Sequence, residues 1–362
     1  MKIAKEDIQQ KGFAVLHGKW GDSGKVFSII GYNGKLLPSN SDFGFRISES
    51  NYKYHIGYLA YPNVGLQNNI PNRKFFSYEK LIKQKYPPKI QDTFSTSGRL
   101  QQSVNKSQYI KKIKKIKELL HAGEIYQMCY AIRFRKKFTG NPYSLFLKLT
   151  EVNPVDFSAY LNCGDFQIIS SSPERFFKVK NGKIITNPIK GTVSKKGGKK
   201  NLEYLINSPK ERAELDMITD LERNDIGKLC KYGTLKLTKE REVLELKNLW
   251  HCYSEVEGRL RSDINSSEIM EAMFPGGSIT GCPKKRAMEY ISELEGLPRN
   301  IFTGSIGYIS NKEMDFNIAI RTILIKDGML ELWVGGGIVA DSDPGKEYEE
   351  CMLKAERILG LL

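Results

Sequence analysis

Strand-like and helix-like runs are grouped in blocks along this chain, and they do not alternate one by one. The first hundred residues hold extended runs such as FAVLHGKW and YKYHIGYLAY, separated by Gly, Asn and Pro turns. Longer helical patterns follow later, with further blocks of strands between them. Regular strand–helix alternation would favour a doubly wound parallel sheet, so the blocks favour an α+β fold.

The same patterns locate individual elements. We predict helices at about residues 105–122, 209–230, 264–273, 283–295 and 345–361, and three strands between 301 and 338. Asn181-Gly182 predicts the turn of a hairpin. Residues 91–104 are polar, so we expect a linker there. It would join a short N-terminal region (1–90) that contributes strands to a catalytic domain (105–362).

The net charge of +15 raises the question of a nucleic-acid partner. Lysines are spread along the whole chain, and the dense patch at Lys111–Lys117 falls on the polar face of an amphipathic helix. No basic motif interleaved with aromatic residues accompanies it, so we expect no nucleic-acid binding. The positive charge suits an anionic substrate.

The sequence indicates neither a membrane segment nor a disulfide framework. No run approaches the roughly 18 apolar residues that cross a bilayer, so we expect no membrane association. The first ten residues, MKIAKEDIQQ, contain no apolar signal core, and we expect a cytoplasmic protein. The six cysteines are scattered without CxxC spacing, which argues against zinc and disulfides and favours buried thiols.

Two pairs of glutamates stand three residues apart on predicted helices. KERAEL holds Glu211 and Glu214, and KEYEEC holds Glu347 and Glu350. Residues i and i+3 share one face of a helix, so each pair can direct two carboxylates to one place. Two opposed faces would form an oxygen-only cage suited to Mg²⁺. Spacing alone favours the alternative, that both pairs are solvated surface acids.

A second cluster consists of SSSPERF and NPIKGT. Lys190 is framed by proline and glycine and cannot swing freely, and partial burial would favour its neutral, nucleophilic form. Glu174, across a hairpin, could act as a general acid if burial keeps it protonated. Without further information, a surface lysine and a strand-edge glutamate explain the pattern better.

Two glycine-rich segments are expected to be turns that could bind an anion. FPGGSITGCPKKRAM leads into a helix, and WVGGGIVADSDP lies between a strand and the last helix. Glycine lets backbone N–H groups approach carboxylates or phosphates closely. Neither segment matches GxxxxGK[ST] or GxGxxG, so nucleotide binding is weakly supported. Arg321, in a predicted strand, could pair with a carboxylate or form a buried structural ion pair.

Taken together, eight segments resemble the chorismate-utilising enzymes, which include anthranilate, aminodeoxychorismate, isochorismate and salicylate synthases. They follow the family's order over about residues 105–361 and read GEIYQ, SSSPERF, PIKGT, ERAELDMITDLERNDIG, FPGGSITGCPKKRAM, TGSIGYI, NIAIRT and GGGIVADSDPGKEYEE. The resemblance implies an α+β chorismate-binding fold, with antiparallel sheets packed as a sandwich, helices outside and two lobes around a central active-site cleft.

Two positions distinguish the activities of this family. Water-adding members carry a lysine base where this chain has Gln127, and glutamine cannot deprotonate water. Anthranilate-forming members typically read PIAGT, whereas PIKGT resembles the group that aminates chorismate at ring carbon 4. The resemblance therefore implies formation of 4-amino-4-deoxychorismate, toward p-aminobenzoate and folate, with Lys190 as covalent nucleophile and Glu174 as general acid.

The remaining site residues follow from the same resemblance. Mg²⁺ is the implied cofactor, held by Glu214 and Glu350 with Glu211 and Glu347 beside them. The implied substrate-binding residues are Arg321, Gly335, Gly336, Gly337, Ser278, Thr280, Lys284, His251, Gln127 and Thr192.

The implied partners are separate proteins, since no segment resembles a glutamine amidotransferase. A separate amidotransferase subunit would supply ammonia within a heterodimer, and an aminodeoxychorismate lyase would act on the product. No segment resembles the tryptophan-binding LLES motif of feedback-inhibited relatives, which makes a tryptophan site doubtful. Anthranilate synthase component I is the alternative enzyme. An inactive chorismate-binding homologue is the alternative of another class, and the retained Glu174, Lys190 and four acids argue against it.

Overall fold

A computed structural model of the chain describes residues 5–21, 27–31, 35–36, 53–245 and 249–362. Its helices are α1 (Lys5–Gln9), α2 (Lys106–His121), α3 (Pro142–Val152), α4 (Gly198–Asn207), α5 (Pro209–Gly227), α6 (Ser266–Met273), α7 (Lys284–Glu295) and α8 (Pro344–Leu359). Its strands are β1 (Ala14–Gly18), β2 (Phe27–Gly31), β3 (Lys35–Leu36), β4 (Tyr54–Leu59), β5 (Arg73–Tyr78), β6 (Ile82–Gln84), β7 (Phe94–Gln102), β8 (Gln127–Gly140), β9 (Phe157–Asn162), β10 (Phe166–Ser172), β11 (Arg175–Lys180), β12 (Lys183–Thr186), β13 (Ile189–Ser194), β14 (Lys236–Glu245), β15 (Leu249–Arg259), β16 (Gly281–Cys282), β17 (Ser305–Ser310), β18 (Glu313–Ile318), β19 (Thr322–Lys326) and β20 (Met329–Ile338).

The strands form two antiparallel sheets. The first sheet has the order β16-β8-β20-β19-β10-β9-β1-β2-β6, with β7 pairing β8. The second sheet has the order β13-β15-β12-β11-β18-β17-β4-β5-β3, with β14 pairing β15. Neighbouring strands are antiparallel in both, which confirms the α+β prediction.

The two sheets pack face to face, with helices on both outer faces. One apolar core, including Leu16, Tyr58 and Ile168, fills the space between the sheets. A second core joins the outer face of the first sheet to α2, α3, α7 and α8, and a third joins the outer face of the second sheet to α5 and α6. The order of layers is helix, sheet, sheet, helix, so the predicted sandwich with helices outside is confirmed.

The N-terminal strands belong to both sheets. β1, β2 and β6 extend the first sheet, and β3, β4 and β5 extend the second. The stretch expected to be a linker contains β7, whose residues are largely exposed and pair with β8 at the edge of the first sheet. A polar sequence is compatible with an edge strand because both of its faces can meet water. The division of the chain into domains stays a prediction.

Local signals fix many of the boundaries. Asn105 begins α2 through a capping box with Gln108, and Asn181-Gly182, both at positive φ, turns the predicted hairpin between β11 and β12. Residues 301–338 hold four strands, so the prediction of three is wrong. A second hairpin turn, Asp327-Gly328, also at positive φ, separates β19 from β20.

Two further expectations bear on the surroundings of the protein. Across the described ranges, no helix combines the length and apolar character needed to cross a bilayer. All six cysteines are unbridged thiols, and five of them are buried.

Candidate active site

The four glutamates of the predicted cage lie near the starts of α5 and α8, with Glu211 and Glu347 in the first turns and Glu214 and Glu350 one turn later. Ser208 caps α5 and accepts a hydrogen bond from the Glu211 amide, and Asp343 caps α8 through the amides of Gly345 and Lys346. Proline at the start of each helix fixes the backbone for helix entry. The positive end of a helix dipole favours acidic side chains there. The helix dipole therefore favours Glu211 and Glu347 most.

Lys210 lies among these four carboxylates. Its Nζ is 3.8 Å from Glu214 Oε1. Desolvation acts to lower the pKa of Lys210, yet the charges of all four glutamates together raise it, with Glu214 acting most strongly. Burial, reinforced by Glu214, raises the pKa of Glu211, and burial raises that of Glu347. The structure thus brings the two predicted pairs into one neighbourhood around a lysine.

The donor chemistry of this neighbourhood fits a hard cation, because all four side chains offer carboxylate oxygen. In the part of the chain that the structure describes, however, no three His, Cys, Asp or Glu side chains converge as a group that could hold a metal ion. Repulsion between like charges and the intervening Lys210 keep the acids apart. Binding of an ion would require these carboxylates to close in around it.

Lys190 reaches from the second sheet to the first. A methyl group placed on Gly337 would lie 3.6 Å from Lys190 Nζ and 2.7 Å from Gln127 Nε2. Gly337 belongs to β20 and Gln127 to β8, whereas Lys190 belongs to β13. A β-bulge between Lys190 and Thr192 interrupts the pairing of β13 with β15. The lysine amine therefore lies in a cleft between the sheets, which is open because residue 337 has no side chain.

Glu174 lies between β10 and β11, close to Lys190 and Arg321. Its side chain is partly exposed to the cleft but is surrounded by protein beyond it, and this burial raises its pKa to about 7. The charges of Lys190 and Arg321 and a hydrogen bond from the Ile189 amide lower it less strongly. A carboxyl group with a pKa near neutrality can both give and accept a proton at physiological pH.

Arg321 and His251 complete this side of the cleft. The prediction that Arg321 lies within a strand is wrong, since it lies between β18 and β19 at a φ of 50°. Such left-handed backbone is uncommon for arginine and occurs at functional sites. Burial lowers the pKa of Arg321, and burial together with the charge of Arg321 lowers that of His251.

Gly335, Gly336 and Gly337 extend β20 and pair with Ala131, Tyr130 and Cys129 of β8. The expectation of a glycine-rich turn between a strand and the last helix is therefore wrong. A methyl group on Gly335 would collide with the Tyr130 carbonyl at 2.4 Å, so close approach of the two strands requires glycine there.

Lys354, which the sequence analysis missed, lies over this glycine strand. Its Nζ is 2.7 Å from Glu350 Oε1 and 3.4 Å from the Gly335 carbonyl oxygen. Burial acts to raise the pKa of Glu350, but the ion pair with Lys354 outweighs it, so this pKa is lowered. The i, i+4 spacing of Glu350 and Lys354 on α8 was the available signal. Lys210 was missed in the same way, four residues before Glu214.

Three buried polar side chains of the site have no hydrogen-bond partner within the described part of the chain. They are Gln127, which is 1% exposed, Ser278, which is 8% exposed, and Thr280, which is fully buried. Buried polar groups are normally paired, so unpaired ones beside a cleft indicate that a polar ligand satisfies them.

Two other predicted residues are placed differently. Lys284 binds Asp225 at 2.5 Å and the Pro275 carbonyl oxygen at 2.9 Å, so its charge is already compensated by protein. The side chain of Thr192 lies outside the described residues.

Comparison with known proteins gives one family and a consistent set of relatives. A family model described as chorismate binding enzyme matches residues 41–360. Aminodeoxychorismate synthase component 1 of Escherichia coli is 40% identical over 284 residues, which are 77% of this chain and 62% of that protein. Anthranilate synthase component 1 of Archaeoglobus fulgidus is 35% identical over 362 residues, 92% of this chain and 87% of that protein.

Solved structures agree with the fold. The crystal structure of anthranilate synthase component I from Streptococcus pneumoniae matches with a TM-score of 0.75 and 26% identity, over 96% of this chain and 90% of that one. The chain spans about three fifths of the length of the Escherichia coli relative.

Proposed function

The chain belongs to the family of chorismate binding enzymes, and from this premise we propose that it aminates chorismate at ring carbon 4 to give 4-amino-4-deoxychorismate. The observation that carries the proposal is the position of Lys190 Nζ in the cleft, opposite Gly337 and near Glu174. The names of the relatives from Escherichia coli and Bacillus subtilis also support it.

In the first half of the proposed reaction, Lys190 acts as the nucleophile. Its free amine attacks ring carbon 2 while the double bond shifts and the bond from carbon 4 to the hydroxyl group breaks. Glu174 gives its proton to the departing hydroxyl group, which leaves as water. The pKa of about 7 supports this role, because a large fraction of Glu174 then carries a proton at neutral pH.

In the second half, ammonia attacks carbon 4 and the bond between Lys190 and carbon 2 breaks. The proton released by the new amino group returns to Glu174, so that chorismate and ammonia give aminodeoxychorismate and water. A lysine at this position blocks direct attack of ammonia on carbon 2, which is the route to anthranilate. One side chain thereby selects the carbon that is aminated.

We propose the four acids of α5 and α8 as the site of Mg²⁺, with Glu214 and Glu350 as direct ligands. When bound, the ion would neutralise a carboxylate of the substrate. Arg321 is positioned to pair with the other carboxylate, and Gln127 and Ser278 offer unpaired hydrogen-bonding groups to the substrate. In this proposal, residues of the chain bind and orient the substrate and transfer the proton.

The names of the relatives support a partner, since each is a component 1. We propose that a separate glutamine amidotransferase subunit supplies ammonia and that a separate lyase consumes the product. Such an enzyme belongs to p-aminobenzoate and folate biosynthesis and acts in the cytoplasm.

Anthranilate synthase component I is the second candidate. It is favoured by the Archaeoglobus fulgidus relative, which matches nearly the whole chain and carries that name. Under this alternative Lys190 would not react with the ring, and the product would be anthranilate.

Identification of the product tests the proposal. The enzyme is incubated with chorismate, Mg²⁺ and ammonium, with and without an aminodeoxychorismate lyase, and the products are separated by mass. We expect p-aminobenzoate only when the lyase is present. Anthranilate formed without a lyase would establish the second candidate, and absence of any chorismate turnover would contradict both.

A further inference from the structure

A β-bulge follows Glu174 directly. Arg175 pairs with Asn317 and Phe177 pairs with Phe316, so Phe176 is the extra residue between β11 and β18. The Phe176 carbonyl oxygen lies 2.9 Å from the hydroxyl oxygen of Thr186, on the neighbouring strand β12. Thr186 therefore holds the backbone two residues after the proposed general acid.

Thr186 also contacts the Glu222 carboxyl group, which comes from the buried face of α5. Two hydrogen-bonded contacts then meet at one hydroxyl group, one with Phe176 and one with Glu222. A threonine hydroxyl group has a single hydrogen, and a carbonyl oxygen can only accept. If Thr186 donates to Phe176, the hydrogen of its contact with Glu222 must come from Glu222.

The surroundings of Glu222 favour its protonated form, which is the form required if the single hydrogen of Thr186 is donated to Phe176. Its side chain is 4% exposed, and burial raises its pKa to about 8. The charged groups that act on it are Glu174, Asp225 and Lys284, and the first two add negative charge. Lys284 lowers the pKa only weakly, because its ammonium group is bound to Asp225.

We propose that Glu222 is a neutral carboxylic acid in the folded enzyme and that, by donating its hydrogen to Thr186, it holds the bulge that orients Glu174. Glu222 is thus a positioning residue. It connects α5, which carries two of the four cage acids, to two strands of the second sheet. Of these, β11 begins directly after Glu174, and β12 precedes β13, which carries Lys190. Loss of its proton would turn the Thr186 hydrogen away from Phe176 and release the bulge.

The protonation state is tested on the free enzyme by infrared spectroscopy. Raising the pH from about 6 to about 9 crosses the pKa of Glu222. We expect the wild-type spectrum to lose the carbonyl stretch of a buried protonated carboxyl group over this range. Glu174 contributes to this change as well, so Glu222→Gln should show a smaller loss that retains only the part from Glu174. Glu151→Gln, at an exposed position on α3, should show the full change. A spectrum in which Glu222→Gln alters nothing overturns the proposal.

The positioning role rests on the proposed function and is tested by the pH dependence of kcat/KM for chorismate at constant free ammonia. Glu174 and Glu222 both lose a proton in the alkaline range, so log kcat/KM of the wild type should fall with a limiting slope of about −2. Glu222→Gln keeps a neutral donor and should retain activity near neutrality but fall with a slope of about −1. An unchanged slope in this variant contradicts the role.

Thr186 provides the second variant pair. Thr186→Val removes the hydroxyl group and should lower kcat about tenfold with little change in KM, because Glu174 is misaligned while the substrate still binds. Thr186→Ser should restore kcat. Failure of serine to restore kcat would overturn the proposal. If the infrared change of the wild type exceeds that of Glu222→Gln but the enzyme converts no chorismate, the proposed function is contradicted and the protonated Glu222 is established.

Discussion

Glutamates stand in two regions of this cleft, and the protein compensates their charge in two different ways. Glu174 lies beside Lys190 and Arg321, and Glu222 lies between α5 and β12 of the second sheet; burial raises the pKa of each toward or above neutrality. The acids at the starts of α5 and α8 lie near the mouth of the cleft, where Lys210 and Lys354 balance their charge.

This difference separates two kinds of chemistry that use the same side chain. A buried carboxyl group without a strong cationic partner binds a proton and can deliver it. Carboxylates gathered near helix N-termini attract cations, here a lysine and, in the proposed function, a metal ion. Lys190 lies between the regions, and its charge lowers the pKa of Glu174 and acts on Glu211 and Glu350 as well.

The largest expected effect is on the residue that joins the two regions. Lys190→Ala should lower formation of aminodeoxychorismate by about 1000-fold, because the covalent route through carbon 2 is lost, and it should divert some chorismate to anthranilate. Product analysis by mass spectrometry measures both. Lys183→Ala, on β12 and paired with Glu257, is the matched control and should be active. Undiminished aminodeoxychorismate from the alanine variant would remove the role of Lys190.

The buried region should make stability depend on pH. Glu174 and Glu222 hold protons in the folded chain that they release at about pH 4.5 when unfolded. The contribution of these two groups to the free energy of unfolding should therefore be largest below about pH 4.5, fall as the pH rises and level off above about 7 to 8. Glu222→Gln should remove about 5 kcal/mol of this fall, measured by urea unfolding at acid and alkaline pH. A fall equal to that of the wild type would show that Glu222 is ionised throughout.

The region at the mouth of the cleft should respond to metal. Glu350→Gln should lower activity about thirtyfold at limiting Mg²⁺, and added metal should restore it only in part. Glu349→Gln is the control on the same helix, since Glu349 is exposed and pairs only with Lys106 among the described residues. Full activity of Glu350→Gln at low Mg²⁺ would contradict its assignment as a ligand.

The smallest effect concerns the lysine that occupies this region. Lys210→Met should tighten binding of Mn²⁺, followed by electron paramagnetic resonance, about fivefold, because a competing positive charge is gone. The metal-free variant should also melt at a lower temperature, since the four acids then repel one another without compensation. Arg212→Met, on the same turn but facing solvent, should change neither property. Equal or weaker Mn²⁺ binding by Lys210→Met would show that the lysine does not oppose the ion.

Local sequence signals predicted five of the eight described helices, because the determinants of a helix lie within a few residues. They missed α1, α3 and α4. The Asn105–Gln108 capping box and the proline at the start of α8 mark helix ends without reference to the rest of the chain. The glycines 335–337 were wrongly expected in a turn, because only pairing with the distant β8 makes them a strand. The prediction missed one of the four strands between residues 301 and 338 for the same reason, since the formation of a strand depends on the strand with which it pairs.

The site could be predicted only as a pattern of residues. Spacing alone favoured surface positions for Glu211, Glu214, Glu347 and Glu350, and the resemblance to a family singled them out. No local sequence pattern predicted the burial of Glu222, because this burial results from the packing of α5 against β12. No pattern singled out Lys210 either, since a lysine near an acid on a helix usually forms an ordinary surface ion pair.

The topology of the N-terminal strands has a practical consequence for truncation. β1 covers the edge of β9 in one sheet, and β4 covers the edge of β17 in the other. A shortened protein that starts after these strands would expose two rows of unsatisfied amide and carbonyl groups at once, and exposed edges invite intermolecular pairing. Efforts to isolate a minimal catalytic fragment should therefore retain the first strands, even though the recognisable motifs all lie beyond residue 105.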